Sequence, residues 1–276
     1  MIPLINVEGF YEFLHMPFGK NVPPDKLYSG NDAEELIDRL KYTAANQLFA
    51  IVTGESGTGK STLMRRFAAE LKQMPYKVLY IADSKLTPRA FYKELLNQFG
   101  LDAHFYRESA KNQLHREIEK MKAVYGASPV VITDESHLLN KDMLEEVRFL
   151  LNCGMDAISP MALILAGQSE LWDKLRFKSC EAIRQRIDIR CDINKLDRVQ
   201  TTEYIDTHMN YAGCHRDIFS EAAIDDIYKF SGGVLRLINK CCISSLMYGA
   251  QNKKTIIDDR TVKLIIDSEL TMGGRS

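Results

Sequence analysis

The stretch Gly54-Glu55-Ser56-Gly57-Thr58-Gly59-Lys60-Ser61-Thr62 decides how this chain is read. It meets every fixed position of G-x-x-x-x-G-K-[ST], the pattern of a phosphate-binding loop. Residues 48–53 before it form a short apolar, partly β-branched run, and residues 63–71 after it carry apolar side chains at helical spacing. A strand, a glycine turn and a helix start together make an anion site, because unpaired N–H groups and the positive end of the helix dipole converge there. In such a loop Lys60 reaches the β- and γ-phosphates and Ser61 ligates magnesium. All nine residues are candidate nucleotide contacts.

Pro129-Val130-Val131-Ile132-Thr133-Asp134-Glu135 supplies the second half: an apolar strand closed by two acids. Two adjacent acids in isolation usually open a solvated loop. Downstream of a phosphate loop, Asp134 is placed to hold magnesium through water, and Glu135 to orient and polarise an attacking water. The string Asn194-Lys195-Leu196-Asp197 spells N-K-x-D, a guanine signature. A GTPase would also carry D-x-x-G at the second motif, where this chain has Asp134-Glu135-Ser136-His137, so ATP is the expected nucleotide. The Asn194–Asp197 string is expected to be a loop opening the helix at Thr201-Thr202-Glu203-Tyr204.

The 276 residues are 45% hydrophobic and 26% charged, enough for a sizeable core in one or two domains. A net charge of −1 gives no global basic field, so any nucleic-acid surface must be local or built by oligomerisation. Cys153, Cys180, Cys191, Cys214, Cys241 and Cys242 form no C-x-x-C and no ligand spacing with histidine, which points to reduced thiols in a cytoplasmic protein. The first residues lack the pattern of a signal peptide, and no run is long and apolar enough to span a membrane.

Strands are expected at 48–53, 76–82, 129–134 and 161–167, with a short one at 255–257, and helices at 31–42, 60–72, 87–99, 108–125 and 141–152. Thr87-Pro88 opens one helix with proline in its first turn, and Gly100 closes it. From Glu170 helices and turns alternate, and beyond about residue 200 the pattern is mainly helical. Alternating strands and helices predict a parallel sheet covered on both faces, with a small helical lid. The expected domains are an aromatic N-terminal segment packed on the ATPase (1–31), an α/β core (32–198), and a lid and tail (199–276).

Three further strings follow: Gly167-Gln168-Ser169-Glu170-Leu171, Ala182-Ile183-Arg184-Gln185-Arg186-Ile187 and Ser231-Gly232-Gly233-Val234-Leu235-Arg236. With the two motifs above, their order resembles an AAA+ ATPase: two nucleotide motifs, a first sensor, an arginine finger and a second sensor. Phe18-Gly19-Lys20, Pro23-Pro24, Asp134-Glu135-Ser136-His137-Leu138-Leu139, Gly167-Gln168 and Gln185-Arg186-Ile187 are more narrowly similar to the ExeA-like ATPases. That group includes a secretion ATPase and the ATPase partners of transposases such as TniB, TnsC and MuB. The resemblance covers residues 8–248.

The resemblance implies an AAA+ P-loop three-layer sandwich with a parallel sheet and a small C-terminal helical lid. It implies magnesium-dependent hydrolysis of ATP to ADP and phosphate. Gln168 becomes the first sensor, where Asn or Thr is usual. Arg186, with Arg184 as its rival, becomes the finger that enters a neighbouring copy's site, a role worth about three to five decades in rate. Arg236 becomes the second sensor, and Gly232-Gly233 lets the chain turn closely into its helix. Phe18 and Tyr28 are core residues first, and neighbours of adenine or a subunit seam second.

Lys85 and Arg89 flank the turn after the second strand, which in TnsC-like proteins faces the channel of a ring or filament. Lys111 and Arg116 could add a second row. Repetition over many copies would multiply such phosphate contacts. The expected function is an ATP-dependent, oligomerising AAA+ regulator that binds double-stranded DNA, selects target DNA and activates a partner transposase. The alternatives are a secretion or envelope-assembly ATPase, and a nucleotide-switched adaptor. The secretion kind carries a membrane segment and a wall-binding domain after its ATPase. The sequence reaches Ser276 without either, which counts against that alternative.

Overall fold

A computed structural model describes residues 6–82, 85–151 and 159–270. In chain order the elements are α1 (Val7–Tyr11), α2 (Asn31–Ala45), β1 (Phe49–Gly54), α3 (Lys60–Leu71), β2 (Tyr76–Ile81), α4 (Pro88–Gln98), α5 (Arg107–Tyr125), β3 (Ser128–Thr133) and α6 (Lys141–Leu150). Then come β4 (Ala162–Gly167), α7 (Glu170–Arg176), α8 (Glu181–Arg184), β5 (Ile189–Ile193), α9 (Arg198–Tyr211), α10 (Glu221–Ser231), α11 (Leu235–Gln251) and α12 (Asp259–Ile265). The expected helix end at Asn152 and the thiol of Cys153 lie outside the described residues. The chain divides into a sheet unit, residues 31–56 and 60–193, and a helical unit formed by residues up to Gly30, Gly57–Gly59 and residues from Asn194.

The sheet unit holds one five-stranded sheet, β2-β3-β4-β1-β5, with every neighbour parallel. Alternation along the strands sorts the core into two layers. Phe49, Ile51, Leu79, Ile81, Val131, Leu163 and Leu165 face one way and pack with α4 to α8. Ala50, Val52, Val130, Ile132, Ile164 and Ala166 face the other and pack with α2 and α3. This is the α/β P-loop fold of AAA+ proteins. β5 is the departure from the sequence reading, which continued helices and turns through it. It runs Ile189-Arg190-Cys191-Asp192-Ile193, and only Cys191 is fully buried.

Caps set the helix starts. Thr87 accepts from Ala90 N–H ahead of Pro88, and Asn140 accepts from Met143 N–H. Asp197 and Gln200 form a capping box, so α9 opens at Arg198, three residues before the expected Thr201.

In the helical unit, Val7, Tyr11, Phe13 and Phe18 share one core with Tyr204, Ile227, Ile238, Leu246 and Ile257. The aromatic segment is thus packed among these helices. Phe18 is buried, stacks on His208 at 5.0 Å and donates its N–H to His208 Nδ1 at 3.3 Å. Burial pushes the His208 pKa down to about 4, which keeps the ring a neutral acceptor. Tyr28 donates to Glu203 Oε2 (2.8 Å) and sets its edge on Tyr204. Gly232 ends α10 in the left-handed region, and a Cβ on Gly233 would clash with Leu196 O. The expected strand at 255–257 is only a single bridge, Phe219 to Ile257.

Cys180, Cys191, Cys214, Cys241 and Cys242 are all free and buried. Among the described residues, no helix is long and apolar enough to cross a membrane, and no group of three or more His, Cys, Asp or Glu is arranged to hold a metal.

Candidate active site

In a parallel sheet all C-terminal strand ends reach one edge, where ligands bind in open α/β folds. β1 ends there in the phosphate loop, β3 in Asp134 and Glu135, and β4 in Gln168. β4 lies between the other two. Sequence order therefore separates what the sheet brings together.

Lys60 opens α3 and is buried, and its Nζ donates to Gly54 O and Glu55 O at 2.8 Å each. A buried ammonium needs such acceptors. Ser61 Oγ donates to Asp134 Oδ2 at 2.6 Å, bridging the two motifs. Asp134 is buried, and its Oδ1 accepts from Glu135 N–H at 2.8 Å. A hydroxyl and an oriented carboxylate are hard oxygen donors of the kind magnesium takes, so the residues fit that ion.

Glu135 sits at φ 50°, in the left-handed region that costs a non-glycine residue about 1 kcal/mol. The turn is held by Ser136 Oγ donating to Thr133 O (2.7 Å) and by Leu138 N–H donating to Glu135 O (2.9 Å). The conformation leaves the Glu135 carboxylate 45% exposed to solvent at the strand end.

In the helical unit, Gly57 and Gly59 adopt φ of +85° and +96°. A Cβ on Gly57 would meet Arg236 Cβ and Val234 Cγ1 at 3.0 Å, and one on Gly59 would meet Leu235 Cδ1 at 2.8 Å. Arg236 N–H donates to Gly57 O at 3.1 Å. The sequence-predicted second sensor therefore starts its helix against the tip of the phosphate loop. Thr58 is buried, and Glu55, Ser56 and Thr62 complete the loop.

Three residues without a sequence-assigned role complete the geometry. The Tyr80 hydroxyl, at the end of β2, donates to Asp134 Oδ2 at 2.9 Å across 54 positions of sequence. Burial, then the bond to Asp134, pushes its pKa well up, so it stays a donor. His137 lies 3.6 Å from Glu135 Oε2, accepts from Gln168 N–H at 3.4 Å and meets Gln168 Nε2 through its own Nε2 at 3.2 Å. It stood in the Asp134–Leu139 string, yet its partner is on another strand. Lys174 Nζ then donates to His137 O (2.6 Å) and Leu139 O (2.8 Å).

Arg186 is half-buried in the turn between α8 and β5, while Arg184 Nη1 donates to Arg176 O at 2.9 Å. The DNA candidates lie elsewhere in the sheet unit. Lys85 is exposed after β2. Arg89 Nε is bonded to Phe105 O, Lys111 Nζ lies 5.4 Å from the Phe149 ring, and Arg116 Nε donates to Asn112 O at 3.3 Å.

The fold is that of AAA+ proteins, and residues 43–175 match the AAA domain family. A protein similar to this one, general secretion pathway protein A of Aeromonas hydrophila, is 29% identical over 245 residues, covering 86% of this chain and 44% of its own. The chain thus spans less than half the length of that relative. Cdc6p from Pyrobaculum aerophilum has a similar structure, with a TM-score of 0.72 at 16% identity, covering 94% of this chain and 73% of its own. Drosophila ORC bound to DNA gives 0.71 at 16% identity, covering 96% and 66%. At such identities the structural likeness establishes the fold.

Proposed function

We propose that the chain is a magnesium-dependent ATPase that assembles with ATP on double-stranded DNA, selects target DNA and activates a partner transposase. The single observation that carries the catalytic part is the 2.6 Å bond between Ser61 and Asp134, with Glu135 beside it. In this reading residues 32–198 are the ATPase core, residues 199–276 are the lid and tail, and the protein works in the cytoplasm.

The residues divide the work. Lys60 exchanges the Gly54 and Glu55 carbonyls for the β- and γ-phosphates, and the loop's N–H groups cradle the rest. Ser61 would hold magnesium directly and Asp134 would hold it through water, and the chemistry the ion would supply there is neutralisation of charge on the phosphate oxygens. Glu135 orients and polarises the attacking water. Gln168 and Arg236 meet the γ-phosphate, and Arg186 completes the site of a neighbouring copy. Lys85, Arg89 and Lys111 meet DNA phosphates, additively over many copies. The DNA and transposase part rests on the Asp134–Leu139, Gly167-Gln168 and Gln185–Ile187 strings.

The test combines two variants with electron microscopy. Lys60→Ala should lose ATP binding. Glu135→Gln should keep it, lose turnover by about two to four decades, and accumulate as ATP-bound filaments or rings on duplex DNA. A Glu135→Gln protein that turns over near the wild-type rate sinks the catalytic assignment. Equal duplex affinity with ATP, with ADP and without nucleotide sinks the assembly part.

A second reading has its own support in the likeness to general secretion pathway protein A over most of this chain. On it, hydrolysis drives assembly of an envelope complex. Absence of DNA binding in every nucleotide state would transfer the assignment to it.

A further inference from the structure

One face of the sheet unit, built by α4, α5, α6 and the turn before α5, has no part in the nucleotide chemistry. It presents three large rings to solvent: Phe105 and Tyr106 are 74% and 72% exposed, and Phe149 is 42% exposed. Single exposed rings are ordinary. These three stand among cations. Arg89 lies over Phe105 at 5.0 Å, and Phe105 meets Tyr106 edge-to-face at 5.3 Å. Lys111 and Arg148 lie 5.4 and 4.5 Å from the Phe149 ring.

The turn that raises the first two rings is fixed. The Gln113 side chain accepts from His104 N–H and donates to Asp102 O, both at 3.0 Å, while Arg89 Nε donates to Phe105 O. Of the neighbouring acids, Glu146 is buried and accepts from Tyr92 and from Arg107 (3.1 Å), Glu145 pairs with Lys141 at 3.8 Å, and Asp102 and Glu108 are exposed beside the rings. The rings are thus held out of the core on a rigid support, with positive charge between them.

We propose that this face takes single-stranded DNA, with Phe105, Tyr106 and Phe149 stacking on unpaired bases and Arg89, Lys111 and Arg148 meeting the phosphates. The inference rests on the DNA reading above and narrows it, since Arg89 and Lys111 belong to both. Cations select a polyanion, and exposed ring faces select a polyanion with exposed bases. A closed duplex hides its base faces in the stack and would leave three rings idle in water. The ATP-bound assembly on a duplex would then grip best where a strand is opened.

Stacking and phosphate contacts separate by their salt dependence. A lost phosphate contact flattens the slope of log affinity against log salt, by about 0.7 for a single strand. A lost stacking contact lowers affinity at every salt without changing the slope. The experiment uses the full chain with ATP, fluorescently labelled oligothymidine, and a duplex of equal length, each titrated across a salt series. Phe105→Ala and Phe149→Ala should each weaken strand binding about 5- to 100-fold at unchanged slope, with little effect on the duplex. Phe105→Trp should restore it, and Arg148→Ala should flatten the slope. Melting temperatures equal to wild type show that the variants fold, as expected for exposed positions.

Ring variants that keep strand affinity, or that lose strand and duplex alike, overturn the inference while leaving duplex binding to stand. Ring variants that bind both DNAs normally but no longer bind a protein partner make the face a protein-docking surface and also overturn it. Loss of all DNA binding in the wild type overturns this inference and the DNA reading together.

Discussion

β1 and β4 are buried at every position and β3 at all but its first, whereas β2 exposes Lys77 and Tyr80 and β5 fully buries only Cys191. The middle strands are hydrogen-bonded on both sides and packed on both faces, so their ends have no slack. These ends carry the phosphate loop, the Asp134-Glu135 pair and Gln168. The edge strands each leave one row of N–H and C=O groups unpaired. On β2 a side chain fills part of that row, and on β5 charged side chains line the strand. Gln98 of α4 bonds both the N–H and the C=O of Tyr80, at 2.9 and 2.8 Å. On β5, Arg190 pairs with Asp192 at 2.9 Å and lies 4.2 Å from the Trp172 ring. Placement is set by packing in the middle and by separate polar contacts at the edges. Equal chemical changes should therefore cost more in the middle.

Gly167→Ala tests the middle and should give the largest effect. Gly167 ends β4, and an added Cβ would meet His137 N at 2.9 Å and Leu171 Cδ2 at 3.2 Å. The first is backbone and cannot swing aside. The turn bearing Glu135 must then move relative to Gln168. The expected cost is about 1–3 kcal/mol of stability, with turnover falling about ten- to a hundredfold through misplacement of the groups proposed to carry hydrolysis. ATP binding should persist, because the phosphate loop leaves from another strand. Denaturant unfolding and steady-state turnover measure it. Wild-type values in both would break the claim that the middle has no slack.

The same contrast explains what the sequence discloses. The phosphate loop and the Asp134-Glu135 pair are contiguous strings at the ends of unbroken apolar runs, and β1, β3 and β4 are legible for the reason that they are buried. β5 is not, since two of its five residues are charged and its period-two pattern is too short to stand out from the turns before it. Residues 255–257 have strand-like composition but form one bridge, because no second strand lies along them. That Phe18 is a core residue was legible in its aromatic neighbourhood; that its stacking partner is His208, in α9, was not. Tyr80 and His137 reach Asp134 and Gln168 only through sheet order, which no local pattern encodes.

Tyr80→Phe probes the edge where it touches the site, and a smaller effect is expected. Asp134 Oδ2 then keeps Ser61 and loses the 2.9 Å bond from Tyr80. A hydrogen bond to a charged group contributes about 1.5–3 kcal/mol, and the exposure of Tyr80 places this one at the low end. The magnesium concentration for half-maximal turnover should rise about three- to tenfold, with metal-free ATP binding unchanged. A magnesium titration of turnover decides it. A loss as large as that of Gly167→Ala would make the edge as unyielding as the middle and remove the distinction.

Gln98→Ala isolates the edge from the chemistry and should give the smallest effect. The Gln98 amide acts as a one-residue substitute for a missing neighbouring strand, filling the donor and acceptor of Tyr80 at once. Tyr80 lies at an exposed edge, so water can replace both bonds, and the net cost should be about 0.5–1 kcal/mol. Turnover at saturating magnesium should match wild type, because Leu79 and Ile81 on either side keep β2 in register with Val131 and Thr133 of β3. The readout is hydrogen exchange at the Tyr80 amide, which Gln98 protects and its removal should expose, while the amides of β1 and β4 stay protected to the level of global unfolding. If β1 and β4 lost protection along with Tyr80, the sheet would be a single mechanical body, and the edge contacts would be part of what fixes the strand ends that carry the proposed site.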